Sequence, residues 1–120
     1  MSSKSMSSKS MSTEHFGFNP TYSEHEPSIE QVKALAGDTI LEFGAPWCGH
    51  CLAAEPFVKE TLTKRSPIRH VKVYDGRGKP LGRAYQVKLW PTLILVRNGE
   101  EVTRIVRPTN ANETLELFSH

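Results

Sequence analysis

Two cysteines, Cys48 and Cys51, are the whole thiol inventory of this 120-residue chain, and they stand three positions apart in Trp47-Cys48-Gly49-His50-Cys51. Two sulfurs at that spacing can close one small disulfide ring, so the chemistry within reach is thiol–disulfide exchange, with Cys48 as the attacking thiol. A small scaffold stapled by bridges needs more cysteines, spread along the sequence. A structural zinc site ordinarily takes four ligands, and no second Cys/His pair lies at useful spacing. The expectation is therefore no metal and no cofactor beyond the dithiol itself. A metal carrier using the two thiolates is the weaker reading of the same residues.

Such a pair works only if something positions it. Thr39 to Gly44 is a short, mostly apolar run that reads as a buried strand. A helix is expected from Cys48 to about Lys64, with Leu52, Phe57, Val58 and Leu62 as its apolar positions and Pro56 kinking it without ending it. A cysteine at the start of that helix faces unpaired backbone N–H groups and the positive end of the helix dipole, both of which favour thiolate. Cys51, one turn further in, can then attack the mixed disulfide and release the partner. His50 adds a group that can be cationic near neutral pH, which would stabilise the reduced form and make the disulfide a better oxidant. His15, His25, His70 and His120 share no spacing with the cysteines and read as surface residues.

Around this unit the remaining elements fall in order. Residues 1–13 read MSSKSMSSKSMST, too poor in apolar side chains to offset the entropy of ordering, so residues 1–15 are expected to be a disordered tail. Residues 16–120 are then a single domain, its aromatic arm (Phe16, Phe18, Tyr22) docking ahead of a start near Pro27. Ser28 and Gln31 form a capping-box pattern before a helix carrying Ile29, Val32, Leu35 and Ala36. Ile68 to Tyr74 is a second strand, Leu81 to Tyr85 a short helix, and Thr92–Arg97, Asn98-Gly99 and Glu101–Val106 a hairpin. Asn110 or Asn112 caps a last helix expected to bury Leu115 and Phe118. Strands interleaved with helices and closed by a hairpin imply an α/β fold with a mixed sheet of about four to five strands, covered on both faces.

At this point the segment Ala45-Pro-Trp-Cys-Gly-His-Cys51 resembles the active site of the thioredoxin superfamily, with the Cys-Gly-His-Cys of protein disulfide isomerase domains. The resemblance covers roughly residues 27–118 and implies the thioredoxin fold. It also implies a thiol–disulfide oxidoreductase that reduces or exchanges disulfides in client proteins, recharged by a flavoprotein reductase. Glu42 stands where the family carries a buried acid; such a carboxyl is expected to have a raised pKa and to shuttle the proton of Cys51. Lys72 is similar to the lysine that pairs with that acid, although a solvated pair on an edge strand would read the same way. Pro91 matches a cis-proline whose ring lies over the cysteines and leaves the Trp90 backbone free to pair with an extended client. The implied client-binding rim is Trp47, Gly49, His50, Trp90, Pro91, Thr92 and Arg107.

Two positions depart from the family: Trp90 is bulkier than the usual residue before that proline, and Arg107 replaces a small contact surface. Arg107 either selects acidic partners or points into solvent. The net charge of +2 is too small to argue for nucleic acid or a membrane surface. No apolar run reaches the ~18 residues of a membrane span. Gly76-Arg-Gly78 and Gly78-Lys79-Pro80 fail the dinucleotide and P-loop patterns. The lysines at the N-terminus precede no apolar segment, so the expectation is a cytoplasmic protein; a monomer is expected as well. The alternative function is a non-catalytic partner-binding module that uses the Trp47/Trp90 surface.

Overall fold

The apolar run after Gly37 becomes the central strand β1, Asp38–Gly44, with its last six residues buried. In the computed structural model, which describes residues 16–65 and 67–119, β1 pairs in parallel with β2, Arg69–Tyr74, and antiparallel with β3, Thr92–Arg97. β3 pairs in turn with β4, Glu100–Val106, so the sheet runs β2-β1-β3-β4. The expected disordered tail, residues 1–15, lies outside the described residues, as does His120.

Helices cover both faces of this sheet, as a buried parallel pair requires. Leu41, Phe43, Val71, Val73, Ile94 and Val96 meet Val32 of α1, Ile29–Lys33, and Leu81 of α3, Pro80–Ala84. On the other face Ile40, Leu93 and Leu95 meet Val58 and Leu62 of α2, Gly49–Thr63, together with Leu117. Each such aliphatic side chain contributes roughly 1.5–3 kcal/mol on leaving water. The strand alternation thus sends odd positions of β1 to one core and even positions to the other, and Glu42 falls on the α2 side.

Local signals explain the boundaries. Ser28 and Gln31 make the reciprocal capping box at the start of α1. Asn98 and Gly99 adopt positive φ values of 52° and 84°, the mirror-image turn that fits a two-residue hairpin. A Cβ on Gly99 would also collide with the Lys33 backbone. α2 continues through Pro56.

Two packing expectations need correcting. Leu52 points outward from α2, with Cys51, Ala54, Val58, Thr61 and Leu62 as that helix's buried positions. In the last helix, α4 (Ala111–Leu115, capped by Asn110), Leu115 is exposed, and Leu117 of the following 3-10 turn Glu116–Phe118 is buried instead.

The arm of residues 16–27 lies along β2. Phe16 bridges to Arg69 and Ser23 to Val73. The Gly17 and Ser23 amides donate to the carbonyls of Ile68 and Lys72, at 2.8 and 2.9 Å.

Candidate active site

Cys48 follows the β1 end through Ala45-Pro46-Trp47 and stands as the N-cap of α2. Its extended backbone leaves the sulfur facing the first turn, where Sγ accepts the Cys51 N–H at 3.2 Å. Both cysteines are buried, Cys48 at 8 % exposed and Cys51 at 3 %. Both are thiols in this structure. Burial, and then the hydrogen bond with Cys48, pushes the Cys51 thiol up to about 12. Gly49 and His50 are exposed on the first turn.

Below Cys51 lies a polar cluster in the α2-side core. Glu42 is 2 % exposed. Its Oε1 lies 2.8 Å from His70 Nε2, and its Oε2 accepts the Tyr22 hydroxyl at 3.0 Å. The backbone N–H of Asn19 donates to His70 Nδ1 at 2.8 Å. Because an amide can only donate, Nδ1 is the bare nitrogen and Nε2 carries the proton that faces Glu42. Asn19 is fixed in turn, its amide donating to the His70 carbonyl at 3.1 Å.

This arrangement reverses the expected direction for Glu42. Burial alone raises a carboxyl, but the His70 hydrogen bond, the Lys72 charge and the Tyr22 hydroxyl outweigh it and hold Glu42 below the usual carboxylate range. Tyr22 is itself held far above the ordinary phenol range, first by burial and then by the adjacent Glu42 charge.

Lys72 is corrected as well. It is buried opposite Glu42 in the β1–β2 register, yet its Nζ donates to the Pro20 carbonyl at 3.3 Å and lies 4.3 Å from the Tyr22 ring centre. It acts on Glu42 as a nearby charge, and His70 and Tyr22 are the groups that hydrogen-bond it. His70, read from sequence as a surface residue, is fully buried. His25 is exposed.

The rim around Cys48 is aromatic. Trp47 is 65 % exposed and meets Trp90 edge to face, with ring centres 5.6 Å apart. Each indole is anchored, Trp47 Nε1 donating to the Tyr74 hydroxyl and Trp90 Nε1 to Asp75 Oδ2, both at 2.9 Å. A groove of about 520 Å³ runs beneath them past Glu24, Asp75 and Lys79. The Trp90–Pro91 peptide is cis. The Trp90 carbonyl, expected to be free, accepts Arg107 Nε at 2.7 Å. Arg107 holds a left-handed φ of 52° and its own amide donates to the Pro91 carbonyl at 2.9 Å. Thr92 does not reach the rim: it is buried, and its hydroxyl donates to the Leu89 carbonyl at 2.6 Å.

Sequence reasoning passed over Tyr22, His70 and Asn19. The signal for His70 was the alternation of β2, which sets His70 and Lys72 on one side and Val71 and Val73 on the other. In a parallel pair covered on both faces, that polar side also has to be buried.

No group of three or more His, Cys, Asp or Glu among the described residues is arranged to hold a metal ion. No helix among them is long and apolar enough to cross a membrane.

The thioredoxin family model matches residues 21–119. Among solved structures, thioredoxin 2 of Pseudomonas aeruginosa PAO1 in its reduced form is 46 % identical, with a TM-score of 0.76 over 84 % of this chain and 94 % of that one. Thioredoxin H2-1 of rice, Oryza sativa subsp. japonica, is 37 % identical over 67 residues, which are 56 % of this chain and 49 % of that protein. This chain therefore spans about half of the rice protein. Thioredoxin Asp f 28 of Aspergillus fumigatus is 28 % identical over 92 residues, 77 % of this chain and 85 % of that one.

Proposed function

The chain belongs to the thioredoxin family of thiol–disulfide oxidoreductases, and from that premise we propose that it reduces or exchanges disulfides in client proteins through Cys48 and Cys51. The observation that carries this reading is the sulfur of Cys48 at the N-cap of α2, receiving the Cys51 amide, with the second thiol one turn below it.

In the proposed cycle the Cys48 thiolate attacks one sulfur of a client disulfide. A Cys48–client bond forms, and the other client sulfur leaves as a thiolate that takes a proton from solvent. Cys51 then loses its proton and attacks the Cys48 sulfur. The mixed disulfide breaks, the second client thiolate departs, and Cys48–Cys51 is left oxidised. Two electrons pass from the dithiol to the client. Glu42, held as a carboxylate, receives the Cys51 proton.

The client rim is Trp47, Gly49, His50, Trp90, Pro91 and Arg107. Lys72 tunes Glu42 by its charge. Recharging by a flavoprotein reductase, a cytoplasmic setting, a monomeric state and a single domain over residues 16–120 complete the proposal.

Turnover of an insulin-type disulfide assay by the wild-type chain, Cys48→Ser and Cys51→Ser tests it. Wild type turns over, Cys48→Ser is inactive, and Cys51→Ser accumulates a covalent client adduct on Cys48. A Cys48→Ser chain that retains wild-type activity would leave the partner-binding module as the better reading.

A further inference from the structure

Cys51 and Glu42 are not joined directly by any hydrogen bond described above. What stands between them is Tyr22, on the arm rather than on the α/β core. Its hydroxyl donates to Glu42 Oε2 at 3.0 Å, and its side chain packs against the cluster of Ala45, Cys48 and Cys51. The Cys51 sulfur and the Tyr22 oxygen crowd the bare Cα of Gly44: a Cβ there would lie 2.5 Å from Cys51 Sγ and 2.7 Å from the Tyr22 oxygen. Glycine at the end of β1 therefore lets the thiol and the phenol converge.

A phenol oxygen can accept one proton while donating another. We propose that Tyr22 is the proton relay between Cys51 and Glu42, with His70 as the positioning residue that fixes the accepting carboxylate. This deepens the exchange reading given above and rests on it. As Cys51 S–H gives its proton to the Tyr22 oxygen, the Tyr22 O–H proton passes to Glu42 Oε2. The products are a Cys51 thiolate, an unchanged tyrosine and a neutral Glu42, with no net change in charge or electrons. The two transfers are concerted, because a phenol held so firmly in its protonated form does not survive as a phenolate.

The surroundings fit this role. His70 Nε2–H holds Oε1, leaving Oε2 as the atom that receives. The Asn19 amide on Nδ1 keeps that proton on Nε2. The Lys72 amine lies over the Tyr22 ring, 4.3 Å from its centre. A hollow of about 330 Å³ lined by Thr21, Tyr22, Pro46, Cys51, Glu55 and Lys72 borders the relay at Tyr22 and Cys51.

The test uses the full chain and follows two steps separately by stopped flow: capture of a client disulfide by Cys48, and its release by Cys51. Tyr22→Phe keeps the ring and removes only the oxygen. Release is expected to slow roughly ten- to a hundredfold at neutral pH, and to become more steeply pH-dependent as hydroxide takes over the deprotonation. Glu42→Gln should show the same deficit, and the double variant no more than either, as groups acting in one path do. His70→Gln should slow release less, since it disturbs the acceptor without removing it.

Release by Tyr22→Phe at the wild-type rate and with the wild-type pH profile overturns the relay. Should that variant fail to fold, wild-type release in heavy water decides: a solvent isotope effect larger than that on capture supports the relay, and an equal one overturns it. Failure of the underlying exchange reading looks different, because capture itself is then missing in the wild-type chain.

Discussion

His70 Nε2 lies 2.8 Å from Glu42 Oε1, and the two side chains are 0 % and 2 % exposed. A buried carboxylate keeps its charge only while donors satisfy it, so this contact holds the core together. Replacing His70 with Leu is expected to cost about 3 kcal/mol, read as a lower urea midpoint at constant m-value. Replacing Glu42 and His70 together by Leu and Phe should recover much of that loss. Equal losses for the single and double replacements would show that the pair is not what the core responds to.

Acid should act through the same pair. Because Glu42 titrates below its ordinary 4.5 in the fold, its contribution is complete above that value and is lost as pH falls through the lowered one. Unfolding followed between pH 7 and the acid transition should therefore show a steeper loss in the wild-type chain than in Glu42→Gln. Parallel curves for the two proteins would contradict it.

The two thiols should be chemically distinct. With Cys51 pushed up to about 12 and buried, iodoacetamide at neutral pH should label Cys48 roughly a hundredfold faster or more. Peptide mapping by mass spectrometry reads the ratio. The stability of the reduced chain should also fall between pH 9 and 12, since a raised thiol pKa favours the fold only while the sulfur stays protonated. Cys51→Ala should lack that component, and comparable labelling of both cysteines would refute the assignment.

Arg107 occupies the Trp90 carbonyl at 2.7 Å, and a client strand that pairs there has to release it first. Arg107→Ala is expected to lower KM for a disulfide-bearing peptide about three- to tenfold. Reduction of a small aromatic disulfide, which makes no backbone pairing, should change little. A raised peptide KM would instead mean that the guanidinium itself holds the client.

His50 stands exposed beside Cys48 on the first turn of α2. Replacing it with Pro removes a cation-forming group, and the glutathione equilibrium should move several-fold toward the disulfide form. An unchanged equilibrium constant would reduce His50 to a spacer.

Most of the fold could be read from the sequence to within a residue or two, because its signals are local, although α1 ends at Lys33, before the Leu35 and Ala36 expected in it. The Ser28/Gln31 box, the Asn98-Gly99 turn and the apolar run of β1 each report one element without reference to the rest. The cysteines were legible for the same reason, since their spacing along one helix is itself the chemistry. What escaped was long-range. Tyr22 and His70 reach Glu42 from 20 residues before it and 28 after it, Asn19 reaches His70 across 51, and no periodicity links them. Lys72 was assigned the right charge and the wrong contact, because register places it opposite Glu42 while its chain length carries the amine to Pro20. The direction of the Glu42 shift depended on donors that only the assembled core provides.

The arm that supplies Tyr22 has a second consequence, which concerns β2 rather than the cysteines. β2 ends the sheet order, and its outer side would otherwise present bare amides and carbonyls to any passing strand. Gly17 and Ser23 take up the carbonyls of Ile68 and Lys72, and the Tyr74 amide gives its hydrogen to Ser23. Sheets whose borders are left open in this way stack edge to edge with their neighbours and come out of solution. The segment that completes the proton path is thus also the hem that keeps one molecule's sheet from being extended by another's.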